Sequence, residues 1–162
     1  MSGERPARRD LDGSGLSIAI VCSRFNEEIT TNLLAGAERV LREHGVAEDG
    51  IDVFFVPGAF ELPLLAKRLA ASGRYEAIIA LGAVIRGETS HYELVANEAA
   101  AGIARAALDT GVPVIFGVLA TEMIEQARAR AGGELGNRGE DAARAAIEMV
   151  RLVREIPLRS GS

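Results

Sequence analysis

The chain has 162 residues with 18 Lys and Arg against 23 Asp and Glu, a formal charge of −5, and 48% hydrophobic residues. That size and composition suit one soluble globular unit, and the negative balance argues against a broad nucleic-acid footprint, as does an aromatic content of 4% with no Trp to stack single strands. A single cysteine, Cys22, excludes an internal disulfide, and His44 and His91 lack the spacing of metal ligands, so no metal centre is expected.

The opening 15 residues show no periodic pattern and no apolar core of a secretory signal, and they carry Glu4, Asp10 and Asp12, unlike an acidic-poor transit peptide. They are expected to be mobile, with residues 16–156 forming one domain and 157–162 a short tail. No apolar run approaches the ~20 residues that span a bilayer, so no membrane partner and a cytoplasmic location are expected. The first β-branched apolar run, LSIAIVC, covers 16–22 and ends on Cys22, which reads as a small buried hydrophobe. A helical pattern follows over 27–45, with Ile29, Leu33, Leu34, Ala37, Val40 and Leu41 on one stripe and Gly45 placed to stop it. IDVFFV (51–56) is the second run. FELPLLAKRLAASG then predicts a short helix with proline near its start and Gly73 at its end. EAIIALGAVI (76–85) is the third run, followed by a helix over 90–111, and PVIFGVLA (113–120) is the fourth. Two more helices are predicted, over 121–131 and from Glu140 to the proline at 157.

Apolar runs unbroken by alternation suit parallel strands covered on both faces. Strand–helix alternation with short links implies right-handed βαβ units and hence an α/β three-layer αβα sandwich. Four parallel strands fit a flavodoxin-like order of 2-1-3-4, in which ligands bind beyond the strands' C-terminal ends at the switch point. Chemistry is therefore expected from three loops: SRFN, PGAFELP and RGETSH.

Gly82 of the third run and Gly87 of the third loop stand at phosphate-loop spacing, but Glu88 takes the place where a P-loop has lysine. Ser90 with Glu93 predicts a capping box that opens a helix at His91. The unpaired N–H groups of that terminus, with Thr89, can hold one phosphate without a lysine, whereas Glu88 argues against a nucleotide. The terminus disfavours an imidazolium, so a neutral His91 is a usable proton acceptor; a solvated surface histidine fits the same spacing. In the second loop Gly58 permits close approach of a ligand. Glu61 there offers a carboxylate beside free N–H groups, for a polyhydroxylated chain or merely to cap the next helix. Phe25 either seals a core edge or stacks on a flat heterocycle. Phe116 lies inside the fourth strand, a default core position, and Arg130 near a helix end, by default a solvated charge. This inventory suits a cofactor-free condensation or elimination on a small phosphorylated substrate.

Six motifs, RFN, VPGAFELP, LGAVIRGETSHYE, GVPVIFGVL, EQARARAG and GNRG, follow one another from about 16 to 156. In that order and spacing they closely resemble the 6,7-dimethyl-8-ribityllumazine synthase family of riboflavin biosynthesis. The resemblance implies a condensation of 5-amino-6-(D-ribitylamino)uracil with 3,4-dihydroxy-2-butanone 4-phosphate, losing phosphate and water. It also implies that Phe25 stacks on the pyrimidine and that the backbone of Ala59, Phe60 and Glu61 takes the ribityl hydroxyls. Ala83, Val84 and Ile85 would read the ring's polar edge, Glu88 and Thr89 would hold the phosphate with Arg130, and His91 would shuttle protons. Phe116 and Arg130 would come from a neighbouring subunit. Relatives commonly carry Ala at the Glu88 position, which points to backbone contact there.

The implied partners are copies of the chain in a homopentamer. The short link 131–139 leans toward a sixty-subunit icosahedral shell; an N-terminal strand would join a neighbour's sheet, and riboflavin synthase is a further associate that the resemblance allows. Two departures stand out: GGELGNRG puts Glu134 and Arg138 where many relatives have lysines, so a raised KM for the butanone phosphate is expected. A flavin-binding or shell-forming protein of the same fold without catalysis is the competing reading, and formation of fluorescent lumazine from both substrates discriminates the two.

Overall fold

The computed structural model describes residues 11–159. Its main sheet has four parallel strands, β1 (Ile18–Ser23), β2 (Ile51–Val56), β3 (Ala77–Ile85) and β4 (Val114–Thr121), in the order β2-β1-β3-β4. The helices are α1 (Glu27–Glu43), α2 (Leu62–Ala71), α3 (His91–Thr110), α4 (Ile124–Arg130) and α5 (Arg138–Glu155). The α/β three-layer sandwich and its strand order are those expected from the alternation of apolar runs and helical patterns.

Two apolar clusters make the core, one on each face of the sheet, and the pleat sorts residues between them. In β1, Ile18, Ile20 and Cys22 pack with α1 and α5, while Ala19 and Val21 pack with α2 and α3. In β3, Ile79 and Leu81 take the first face, and Ile78 and Ala80 the second. Each fully buried Ile or Leu contributes about 1.5–3 kcal/mol relative to exposure, and every residue of β1 is buried. Coverage on both faces holds for the two inner strands only. The outer strands are half open, with Phe55 of β2 and Phe116 of β4 exposed, because an edge strand has a neighbour on one side alone.

Helix α1 starts at Asn26, a non-glycine residue in the left-handed region at φ 61°, and Gly45 at φ 94° turns the chain out of it. Residues 11–15 of the opening segment lie against the α1 and α5 layer: the N–H of Gly13 donates to His44 O at 2.7 Å, and the Arg151 guanidinium donates to Asp12 O at 2.8 Å. The N-terminal strand expected to join a neighbour would come from residues ahead of these, outside the described residues.

Two local expectations are corrected, and one element is new. Ser90 precedes α3, but its backbone sits at φ −74°, ψ 1° rather than extended, and its hydroxyl makes no cap bond. The capping box is therefore absent, and Thr89 Oγ1 instead accepts from the N–H of His91 at 3.3 Å. The predicted helix over 121–131 starts later: Thr121 closes β4 opposite Ile85, and its hydroxyl donates to Met123 O at 3.0 Å across the turn. Beyond α4 the glycine-rich link forms a small antiparallel hairpin, β5 (Ala131–Gly133) and β6 (Gly136–Asn137), too short to show a sequence period. Among the described residues no helix is long and apolar enough to cross a membrane.

Candidate active site

The C-terminal ends of β1, β2 and β3 lie side by side, and hydrogen bonds lace the loops that follow them. The N–H groups of Arg24 and Phe25 donate to Val56 O at 2.9 Å and Pro57 O at 3.0 Å, fixing the first loop to the second. The Asn26 amide donates to Ala83 O at 3.1 Å, fixing it to the third strand. With its backbone held on both sides, the Phe25 ring stands 70% exposed, so it does not seal a core edge.

The second loop forms a single 3-10 turn over Ala59–Glu61 ahead of α2. Ala59 is buried, Phe60 is 60% exposed, and the N–H of Glu61 donates to Gly58 O at 3.3 Å. Glu61 occupies the N-cap position of α2 without making a side-chain cap bond. Its carboxylate lies back over Gly58, where an added Cβ would come within 3.3 Å of Oε2. A carboxylate that caps nothing is available to a ligand.

These loops enclose a cavity of about 700 Å³, within the range usual for small-molecule sites. Phe25, Ala59, Phe60 and Glu61 line one side, and Ala83, Val84, Ile85, Thr89 and His91 the other. Nine of the predicted residues are thereby brought together. Glu88 is exposed and lines no part of it. Gly58 and Gly87 also line it, as do Tyr92, Leu94 and Val95, which were not singled out by sequence. The signal was there: Tyr92 and Val95 follow His91 on one turn of α3 and belong to the apolar stripe that continues into the core through Ala99 and Ile103.

Phe116 and Arg130 are elsewhere. They line a second cavity of about 530 Å³ at the β4 edge, with Gln126 and Arg138. Phe116 is 47% exposed, which corrects the default of a core residue: β4 is an edge strand, and this side chain faces outward. Gln126 builds the corner, since its Oε1 accepts from the N–H groups of Glu122 and Met123 at 2.9 and 3.1 Å. Its carbonyl oxygen accepts from Arg130 Nη1 at 3.0 Å. Among the described residues no carboxylate forms an ion pair with Arg130, so that guanidinium keeps donors for an anion. Arg86, next to the first cavity, pairs with Glu122 of the second at 3.4 Å.

Within one chain, then, an apolar crevice holds the Phe25 ring, a carboxylate, an imidazole and a helix start, while Phe116 and two guanidiniums lie in another. Among the described residues no group of three or more His, Cys, Asp or Glu could hold a metal ion. The family model of 6,7-dimethyl-8-ribityllumazine synthase matches residues 15–154, from the strand before the first loop to the end of α5. The chain belongs to that family, the transferases that form lumazine in riboflavin biosynthesis.

Proposed function

We propose that the chain condenses 5-amino-6-(D-ribitylamino)uracil with 3,4-dihydroxy-2-butanone 4-phosphate to give 6,7-dimethyl-8-ribityllumazine. The single observation that carries this reading is the gathering of Phe25, Glu61, Thr89 and His91 on one cavity. In this reading the pyrimidine stacks on Phe25, and its polar edge meets the main chain at Ala83, Val84 and Ile85. The ribityl hydroxyls reach the Ala59–Glu61 turn and the free Glu61 carboxylate. The butanone phosphate lies at the start of α3 beside Thr89, where a helix terminus favours an anion. The Glu88 side chain, exposed and outside the cavity lining, takes no part in this reading.

His91 then serves as the proton shuttle. It accepts a proton as the 5-amino nitrogen attacks the ketone and returns one as the first water leaves in imine formation. It takes the carbon-bound proton as phosphate is eliminated, and assists the second loss of water on ring closure. Positioning two substrates this way converts a bimolecular step into a unimolecular one.

Phe116 and Arg130 belong to the same reaction through a neighbouring copy. Their cavity lies apart from His91 in the single chain, and a second protomer can bring that face to the first cavity. A homopentamer is the assembly proposed, with a sixty-subunit shell as its higher form, favoured by the short link after α4, and riboflavin synthase as an associate. The experiment is to mix both substrates with purified protein and follow lumazine fluorescence. Its appearance supports the synthase; tight lumazine binding without turnover supports a non-catalytic binder.

A further inference from the structure

Arg130 and Arg138 line one cavity although a glycine-rich stretch separates them in sequence. The hairpin explains their meeting. Ala131 of β5 pairs with Asn137 of β6 in antiparallel register, so the residue before the first and the residue after the second leave the hairpin at its open end, side by side. Ala131 is buried there in the α1 and α5 layer, and one polar side chain ties the end to both helices. Asn137 Nδ2 donates to Asn32 O of α1 at 3.0 Å, while its Oδ1 accepts from the N–H groups of Gly139 at 2.8 Å and Glu140 at 3.2 Å. The hairpin, α1 and the start of α5 thus meet at a single amide.

Gly36 makes room for it, and Gly139 lets α5 approach α1. A Cβ on Gly36 of α1 would come within 2.6–2.7 Å of Asn137 Nδ2, Cγ and Oδ1, and one on Gly139 would overlap the carbonyl oxygen of Leu33. Close packing of this kind leaves the amide no alternative position.

We propose that Asn137 is a positioning residue for the anion held between the two arginines: by pinning the hairpin's open end to α1 and α5, it sets the separation of the guanidiniums. The inference rests on the proposed reaction only for the identity of that anion, the butanone phosphate. A bidentate or two-sided grip on phosphate depends on donor geometry, and a side-chain shift on the order of 1 Å far from the chemistry can cost up to about a hundredfold.

Two variants separate positioning from plain stability. Asn137→Ser keeps a capping oxygen for α5 but is too short to reach Asn32. Gly36→Ala keeps Asn137 and displaces it from the far side, at a helix position where Ala is intrinsically preferred, so it tests the idea should the first variant fold poorly. In both, the KM for butanone phosphate is expected to rise about tenfold, with the KM for the pyrimidine and kcat within about twofold, the signature of lost binding at one substrate. Val40→Ala, a core truncation in the same helix, should lower Tm and leave both KM values alone. Variants that lose Tm with unchanged KM for butanone phosphate, or that raise both KM values equally, overturn the proposal. Should the wild-type protein form no lumazine, the proposed reaction fails by itself; the same variants are then titrated calorimetrically with inorganic phosphate, and equal affinity in wild type and variants overturns the role of Asn137.

Discussion

The side-chain amide of Asn26 donates to the carbonyl oxygen of Ala83 at 3.1 Å, joining the loop after β1 to a strand that lines the first cavity. Asn26 also holds φ at 61°, where an L side chain other than Asn or Asp costs about 1–2 kcal/mol. The two roles separate by substitution. Asn26→Gly keeps the backbone and loses the amide, so it should raise the KM for the pyrimidine several-fold with a small loss of Tm. Asn26→Ala loses both, and should be less stable than the Gly variant by about 1 kcal/mol. Equal melting temperatures for the two would remove the backbone argument.

His91→Ala tests the proton shuttle. General acid–base groups supply about 10²–10⁴-fold in rate, so kcat should fall by that order while the pyrimidine, held by other residues, still binds. An unchanged rate of lumazine formation would take His91 out of the mechanism.

Glu134 sits exposed in the turn of the β5–β6 hairpin, whose open end carries Arg130 and Arg138. Its charge opposes an anion approaching those guanidiniums. Glu134→Lys should lower the KM for butanone phosphate about two- to threefold at low ionic strength, the scale of exposed charge interactions. The effect should fade in about 1 M salt, where the screening length shrinks to about 3 Å. An unchanged KM at low salt would mean that Glu134 does not touch the anion's approach.

The fold was legible because its signals are long and repeated. IDVFFV is β2 residue for residue, and the apolar runs at 16–22, 76–85 and 113–120 coincide with β1, β3 and β4 to within two residues. Loops at the strands' C-terminal ends were legible as well, since chain order and strand order together dictate where they converge. What escaped was anything depending on a contact between distant segments. Asn26 and Asn137 look like ordinary polar residues until Ala83 and Asn32 are seen to be their partners. The capping box failed for a related reason: the pattern of Ser90 and Glu93 was present, but backbone dihedrals decide whether a hydroxyl points at its target. Phe116 had the core as its default because it lies inside an apolar run, although the expected order 2-1-3-4 already put that strand at an edge.

Cys22 gives a prediction about reactivity and alkaline stability. The thiol is 1% exposed, and burial pushes it up to about 11, opposed by a hydrogen bond to Thr30. A disulfide reagent at pH 8 should leave native protein unlabelled and react at once in denaturant, because thiolate is the nucleophile. The sign of the linkage follows. The folded state keeps the proton longer than the unfolded chain, so the contribution is full below the ordinary thiol range and is lost as pH rises toward about 11. In Cys22→Ala the alkaline fall in stability over that window should be shallower, despite a lower Tm from lost packing. An identical slope would assign the alkaline loss to other groups.

The separation of the two cavities makes subunit complementation the sharpest test of assembly. If catalysis needs His91 from one copy and Arg130 from the next, His91→Ala and Arg130→Ala rings are each deficient at every site. Unfolding the two variants together and refolding them at equal ratio gives mixed rings. A site is intact when the first face comes from the Arg130 variant and the second from the His91 variant. For random heterologous association in a closed ring that happens at about one site in four. Recovery to about a quarter of wild-type activity is therefore expected on co-refolding, and none on mixing preformed assemblies that do not exchange. No recovery from rings shown to be mixed would place all the chemistry within one chain, and Arg130 would revert to a surface charge.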